Sequence, residues 1–299
     1  MMSWQLRGFS WFSRQFVKRW LASVRGIPDL RDGFERHARR SHISPPLADY
    51  RNGHIGNKPV KWVSCGPVEN RDTLIYIHGG GYVAGSPETH QHLVAHLCQA
   101  LGCEAVMPRY RLAPENPFPA AIEDIIACYH GLVAQGRDPA RFIIGGDSAG
   151  GGLVFSLLAY LAKSGLPKPL CAFALSPVVD FTHAGDSIKT NAGSEAVLVS
   201  ARISEMDQMY LNGADPADPE VSPLFADFPN CPPVLMHVAD QEILRDDTLA
   251  MQNHLLEQGA DVLVRSWAGG FHVWHMLVGY VPEARAALKD VADFIKAQR

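Results

Sequence analysis

From about residue 60 onward, short apolar runs alternate with longer stretches whose apolar positions recur at helical spacing. The runs at 60–64, 73–77, 104–107, 141–144, 171–175, 234–238 and 262–266 are strand-like, and 90–100, 120–134, 149–163, 247–258 and 282–297 read as helices between them. Strands separated by helices pair in parallel only through crossover connections, which put helices on both faces of one sheet. The pattern therefore predicts a doubly wound α/β fold with a mostly parallel central sheet. The rhythm breaks at 186–212, a polar, helix-prone stretch followed by the Pro-rich 215–223. This predicts an insertion above the sheet, without a second core.

Ahead of the alternating region, residues 3–22 carry Trp4, Phe9, Phe12, Phe16 and Trp20 at roughly helical spacing, with Arg7, Arg14 and Lys18 toward the other side. The expected structure is a helix whose aromatic face packs on the body of its own chain. A basic amphipathic helix lying on an anionic membrane is the alternative.

Composition narrows the function classes. A chain of 299 residues that is 47% hydrophobic suits one large α/β domain, and a formal charge of −4 gives no general drive toward nucleic acid. The first 40 residues hold nine basic side chains against three acidic ones, so the arm is electrostatically distinct from the rest. Cys65, Cys98, Cys103, Cys128, Cys171 and Cys231 form no C-x-x-C pair and have no neighbouring His at ligand spacing. They read as buried small hydrophobes in a reducing compartment, with no metal expected. Arg7, Arg14, Lys18 and Arg19 break the apolar run that a secretory leader needs, and no run approaches a membrane span. A cytoplasmic location is expected, without nucleic acid or membrane as partner.

The chemistry starts at Gly146-Asp147-Ser148-Ala149-Gly150, which follows one apolar run directly and opens an apolar helix. Small residues on both sides let a strand-to-helix turn tighten and lift the Ser hydroxyl out of the backbone, as a nucleophile elbow requires. A Ser that merely caps the helix is the bland reading. His78-Gly79-Gly80-Gly81 follows the run 73–77, where glycines free backbone N–H groups to converge on one point. With Ala149, Gly79 and Gly80 are the expected oxyanion donors. His78 reads as structural, having no obvious carboxylate partner. No Lys-Ser or Lys-Thr follows the glycines, which argues against a phosphate loop.

Chain order after an elbow is Ser, acid, His, and His272 lies in a loop past the last strand-like run. His275 reads as a helix-surface or packing residue, while His237 and His254 sit inside a strand and a helix and look structural. Between 239 and 247 four carboxylates are available. Asp246 and Asp247 suit the start of a helix, where they satisfy free N–H groups. Asp240 and Glu242 both remain open as the acid.

Taken in order, His78 to Gly81, Tyr110-Arg111-Leu112-Ala113-Pro114-Glu115, Gly146 to Gly151, Glu242-Ile243-Leu244-Arg245-Asp246 and His272-Val273-Trp274 resemble the hormone-sensitive-lipase-like branch of the α/β-hydrolase family, especially its bacterial carboxylesterases. The resemblance spans roughly 60–298. Family members usually read Asp-Pro-Leu-x-Asp at the acid loop, and laying Leu244-Arg245-Asp246 on that pattern puts Glu242 on the acid. It also implies an arm (1–45) and an insertion at about 183–215 that together cap a catalytic domain (46–299), with 110–115 structural. By the same analogy the edge strand 262–266 pairs across a two-fold axis in a homodimer. The activity implied is hydrolysis of small carboxylic esters with short to medium acyl chains by a Ser148-His272-Glu242 acyl-enzyme route, without a cofactor. Lactone hydrolysis or acetyl-ester deacetylation would use the same residues. A non-catalytic ligand-binding protein on this fold is the alternative from another class.

Overall fold

The computed structural model describes residues 2–41 and 43–299. Among the described residues eight strands form one sheet: β1 (Ala48–Ile55), β2 (Lys58–Cys65), β3 (Thr73–Ile77), β4 (Glu104–Pro108), β5 (Phe142–Asp147), β6 (Cys171–Leu175), β7 (Val234–Ala239) and β8 (Val262–Trp267). Their spatial order is β1-β2-β4-β3-β5-β6-β7-β8, with β1 and β2 antiparallel to their neighbours and the rest parallel. Every residue of β3, β5, β6 and β7 is buried. That is the signature of a parallel sheet covered on both faces.

The pleat sends alternate side chains to two cores. Ile75, Ile77 and Ile144 pack with α5 (Ala120–Ala134), α6 (Ala149–Lys163) and α9 (Arg245–Glu257). Leu74, Tyr76 and Ile143 face the other way, onto α4 (Pro87–Leu101) and α10 (Pro282–Ala297). One strand went unread in the sequence. β1 is half-exposed and carries Asp49 and Arg51, so it lacks an apolar run, yet it pairs with β2 over its whole length through a tight turn at Gly56, φ 57°.

The arm comprises α1 (Trp4–Phe12), a π-helical turn (Ser13–Val17), α2 (Lys18–Ser23) and α3 (Ile27–Ser41). Its start joins the α4/α10 core through Leu6 and Phe9, while Trp20, Leu21 and Leu30 join the opposite core, so the arm crosses from one face of the sheet to the other. The expectation that Trp4, Phe9, Phe12, Phe16 and Trp20 share one inward face is corrected. Phe9 packs on Tyr280 (5.6 Å between rings) and Trp20 lies over Gly33, but Trp4, Phe12 and Phe16 are exposed. The wide π turn rotates the chain between these residues, and a single helical period does not hold across it. Arg31 on α3 then clamps the 110–115 segment, pairing with Glu115 at 2.7 Å and donating to the Val83 and Ala113 carbonyls.

Between β6 and β7 the chain forms α7 (Ser187–Thr190) and α8 (Ile203–Leu211). Tyr210 on α8 stacks on Tyr82, 3.9 Å between rings, directly beside the glycine loop.

Candidate active site

Ser148 sits between the end of β5 and the first residue of α6, at φ 53° and ψ −123°, a conformation that ordinary residues adopt only under constraint. The turn is held by Ser148 N–H donating to Leu175 O at 2.8 Å and by Gly152 N–H donating to Ser148 O at 3.1 Å. A Cβ at Gly150 would lie 2.1 Å from the Ile77 carbonyl oxygen, and one at Gly146 would lie 2.5 Å from that of Gly150. Only glycine lets the strand and helix approach this closely.

His272 follows β8 in a loop fixed by Val273, whose φ is 49°. Its Nε2 is 2.9 Å from Ser148 Oγ and its Nδ1 3.2 Å from Glu242 Oε2. A proton on Nδ1 directed at the carboxylate leaves Nε2 free to accept the Ser148 hydroxyl. Glu242 is buried. Its other oxygen accepts the Ala239 N–H at 2.9 Å, and its own N–H donates to Ala239 O at 3.3 Å. The acid loop therefore curls back on the end of β7, and this curl accommodates the extra methylene of a Glu. Burial opposes charge on His272, but the Glu242 hydrogen bond and charge outweigh it, with help from Glu195 and Asp147. The ring is held above its ordinary value.

Asp240, the rival acid, is exposed and accepts the Ser266 hydroxyl instead. Asp246 and Asp247 lie in the first turn of α9 as expected, but the N–H groups they accept belong to other segments. Asp246 Oδ2 accepts the Ser187 N–H at 2.8 Å, and Asp247 Oδ2 accepts those of Val179 and Asp180, so both tie α9 to the chain leaving β6.

The glycine loop spends one of its expected donors inside the protein. Gly79 N–H, an expected oxyanion donor, is already donated to Asp147 Oδ1 at 3.2 Å. The N–H groups of Gly80, Gly81 and Ala149 have no acceptor among the described residues. Gly80 at φ 128° and Gly81 at φ 62° hold the turn that aims them, and a Cβ on Gly80 would meet Ala84 O at 2.1 Å.

Residues 74–276 match the family described as alpha/beta hydrolase fold. The chain belongs to that family. It is 38% identical over 242 residues to an acetyl-hydrolase of Streptomyces hygroscopicus, covering 81% of each chain. An ethyl acetate hydrolase of Pseudomonas putida is 33% identical over 230 residues, 75% of this chain and 72% of the relative. Among solved structures, an esterase of the bacterial hormone-sensitive lipase family superimposes with a TM-score of 0.94 at 34% identity, covering 100% of this chain and 99% of that one. The protein is thus a carboxylic ester hydrolase of the bacterial hormone-sensitive-lipase branch.

Around Ser148 the esterase holds residues that the sequence did not single out. Asp147 accepts from Tyr76 OH at 2.8 Å as well as from Gly79, and its second oxygen lies 3.2 Å from His90 Nε2. Burial alone would raise this carboxyl, but the His90 ring and the Tyr76 hydroxyl outweigh it and hold it below its ordinary range. His78 stacks between Tyr110 (4.3 Å) and His90 (5.7 Å), and burial pushes it down to about 3. Its structural reading stands. His275 is buried, with its Nε2 3.1 Å from His237 Nδ1, and belongs to packing; His237 is itself buried in β7, and His254 bonds the Ala226 carbonyl.

The insertion grips the acid loop. Asn191 Nδ2 donates to the carbonyls of Asp240 (3.2 Å) and Glu242 (2.9 Å), Ser194 Oγ to that of Gln241 (3.0 Å), and Ser187 Oγ to that of Ile243 (2.7 Å). The arm in turn grips the insertion, with Arg14 Nη2 donating to Ser194 O at 2.5 Å and Lys18 Nζ donating to Ala192 O and Glu195 O at 2.8 Å each. Nothing in the sequence flagged these contacts, because each ends on a backbone carbonyl. No group of three or more His, Cys, Asp or Glu among the described residues is placed to hold a metal ion, and no described helix is long and apolar enough to cross a membrane.

Proposed function

We propose that the esterase cleaves esters with short to medium acyl chains through a covalent acyl-serine at Ser148. The observation that carries this reading is the continuous line Ser148 Oγ, His272 Nε2, His272 Nδ1, Glu242 Oε2, with steps of 2.9 and 3.2 Å. Ser148 Oγ attacks the ester carbonyl as its proton passes to His272 Nε2, and Glu242 holds the tautomer and balances the imidazolium. The oxyanion falls to the unpaired N–H groups of Gly80, Gly81 and Ala149, with Gly79 ordering the loop through Asp147. Each donor contributes on the order of 3 kcal/mol to the transition state. His272 then gives its proton to the departing alcohol as the carbonyl C–O bond breaks. Water, deprotonated by the same ring, hydrolyses the acyl-enzyme.

The arm (1–45) and the insertion at about 183–215 serve as a cap over the catalytic domain. Arg14, Lys18 and Arg202 tie the two together, and Tyr210 rests on Tyr82 beside the donor loop. A buried nucleophile under such a cap favours small acyl groups, and the names of the acetyl-hydrolase and ethyl acetate hydrolase relatives point the same way. Acetyl esters are therefore the first substrates to test.

The decisive experiment mixes enzyme with aryl esters of increasing acyl length. Release of one aryl alcohol per chain before steady state, its loss in Ser148→Ala, and a peak among the shorter acyl groups would support the proposal. A Ser148→Ala variant with parental turnover, or ligand binding without any acylation, would overturn it.

A further inference from the structure

The outward face of the arm is unlike the rest of the surface. Trp4, Trp11, Phe12 and Phe16 are 79%, 61%, 44% and 55% exposed, and Trp11, Phe12 and Phe16 touch one another, with ring centroids 4.8 Å apart for Phe12–Phe16 and 6.3 Å for Trp11–Phe16. These rings are not waiting for their own body. The inward face of the same helices is already filled by Leu6, Phe9, Ser13 and Trp20.

Cations are interleaved with the rings. Arg7 stands three residues after Trp4 and four before Trp11, and Arg19 three after Phe16, so both share the outer strip at helical spacing. Arg7, Arg19 and Arg25 are exposed and have no hydrogen-bond or ion-pair partner among the described residues. Arg14 and Lys18 point the other way and are spent on the insertion. No carboxylate occurs before Asp29. The nearby acids of the body are engaged elsewhere: Glu283 accepts from Ser3, Asp240 from Ser266, and Glu205 pairs with Arg202.

We propose that this strip is a docking surface for an anionic lipid bilayer, with the rings entering the headgroup boundary and Arg7, Arg19 and Arg25 meeting lipid phosphates and carboxylates. Tryptophan rings favour that boundary, and basic side chains add electrostatic attraction to it. A second copy of the chain fits the face poorly, since a two-fold contact would bring Arg7 and Arg19 against their own like charges. Nucleic acid would use the cations but leave the rings of Trp11, Phe12 and Phe16 without a reason to be a contiguous apolar patch. Docked in this way, the arm stands about one helix diameter, roughly 10 Å, between the lipid surface and the loop that grips the acid. Esters dissolved in the boundary would then be delivered at the cap.

The test is cosedimentation of the full chain with vesicles of phosphatidylserine and phosphatidylcholine, compared with phosphatidylcholine alone and repeated at high salt. Trp11→Ala with Phe16→Ala, and separately Arg7→Glu with Arg19→Glu, change exposed positions outside the catalytic machinery, so turnover of a soluble aryl acetate serves as the check on folding. We expect binding only to the anionic vesicles, released by salt, and weakened about tenfold or more in each double variant at unchanged soluble turnover. Absence of binding by the full chain, or binding that neither double variant weakens, overturns the proposal. So does a double variant whose main effect is loss of self-association, which would give the face to a second copy, and so does cation-dependent capture of DNA in preference to vesicles.

Discussion

Asp240 accepts its hydrogen bond from Ser266, on the neighbouring strand β8, and offers nothing to His272. Two residues further on, Glu242 reaches His272 Nδ1 at 3.2 Å from a buried position. Glu242→Gln should lower kcat by ~10³ to 10⁴, because an amide neither balances the imidazolium nor holds the right tautomer. Asp240→Asn should cost about tenfold or less, acting only through loop order. Glu242→Asp should keep part of the activity, since charge survives and reach shrinks. Steady-state kinetics of the three variants on one aryl acetate decide the matter, and a larger loss in Asp240→Asn than in Glu242→Gln would reverse the assignment.

The acid limb of the pH profile follows from His272. Its ring is held above the ordinary value of about 6.5, so the neutral form needed to accept the Ser148 proton is lost as pH falls through that raised value. A plot of kcat/KM against pH should therefore bend above 6.5 on its acidic side. Since Glu242 is the main source of the upward push, Glu242→Gln should move whatever activity remains toward lower pH. An unchanged limb in that variant would contradict this account.

Arg14 and Lys18 brace the 240–242 loop mainly through the insertion, and Arg14 Nη2 also donates to Gln241 Oε1 at 3.4 Å. Lys18→Met with Arg14→Met should lower kcat by roughly tenfold, since small misplacement of a catalytic group is costly. Hydrogen exchange at 240–246 should quicken in the same variant. Parental kcat with fast exchange would separate the grip from catalysis.

Asp247 gives a stability test with a definite sign. Burial pushes its carboxyl up to about 7, although the Val179 and Asp180 N–H groups pull the other way. The folded chain thus keeps a proton that the unfolded chain releases near 4, and stability on this account falls as pH rises from about 4 to 7. Asp247→Asn retains an acceptor oxygen and removes the buried charge. It should gain on the order of 2 kcal/mol over the parent at pH ~8 and nothing at pH ~4, read from urea melts. Equal differences at both pH values would show that the carboxyl is not the source.

How much could be read in the chain varies with the physics of each part. The parallel strands were legible because burial on both faces demands unbroken apolar runs, as in β3 and β5. β1 was not, since an antiparallel edge tolerates Asp49 and Arg51. Ser148 and His272 stood out because a tight elbow and a post-strand loop leave glycines in the sequence, and the structure brings both residues to Glu242. The bond from Gly79 N–H to Asp147 was not legible, because no residue code says which N–H a buried carboxylate will consume. Asn191 and Ser194 were invisible for a related reason: they bond to carbonyls that every residue has. The arm defeated periodicity at Ser13–Val17, where the turn widens.

The arm's anchorage also sets a clock. Arg14 and Lys18 are synthesised early, but their partners lie at 192–195, and Ser3 is held by Glu283. At ribosomal speeds of about 5–20 residues per second, roughly 15 to 60 seconds separate the arm's emergence from that of Glu283. Through that interval Ser3 and Phe9 lack Glu283 and Tyr280, whereas the 192–195 carbonyls that hold Arg14 and Lys18 are already made before it ends. The first turn of the arm therefore stays loose until 280–283 are made, while its second half can seat on the insertion long before.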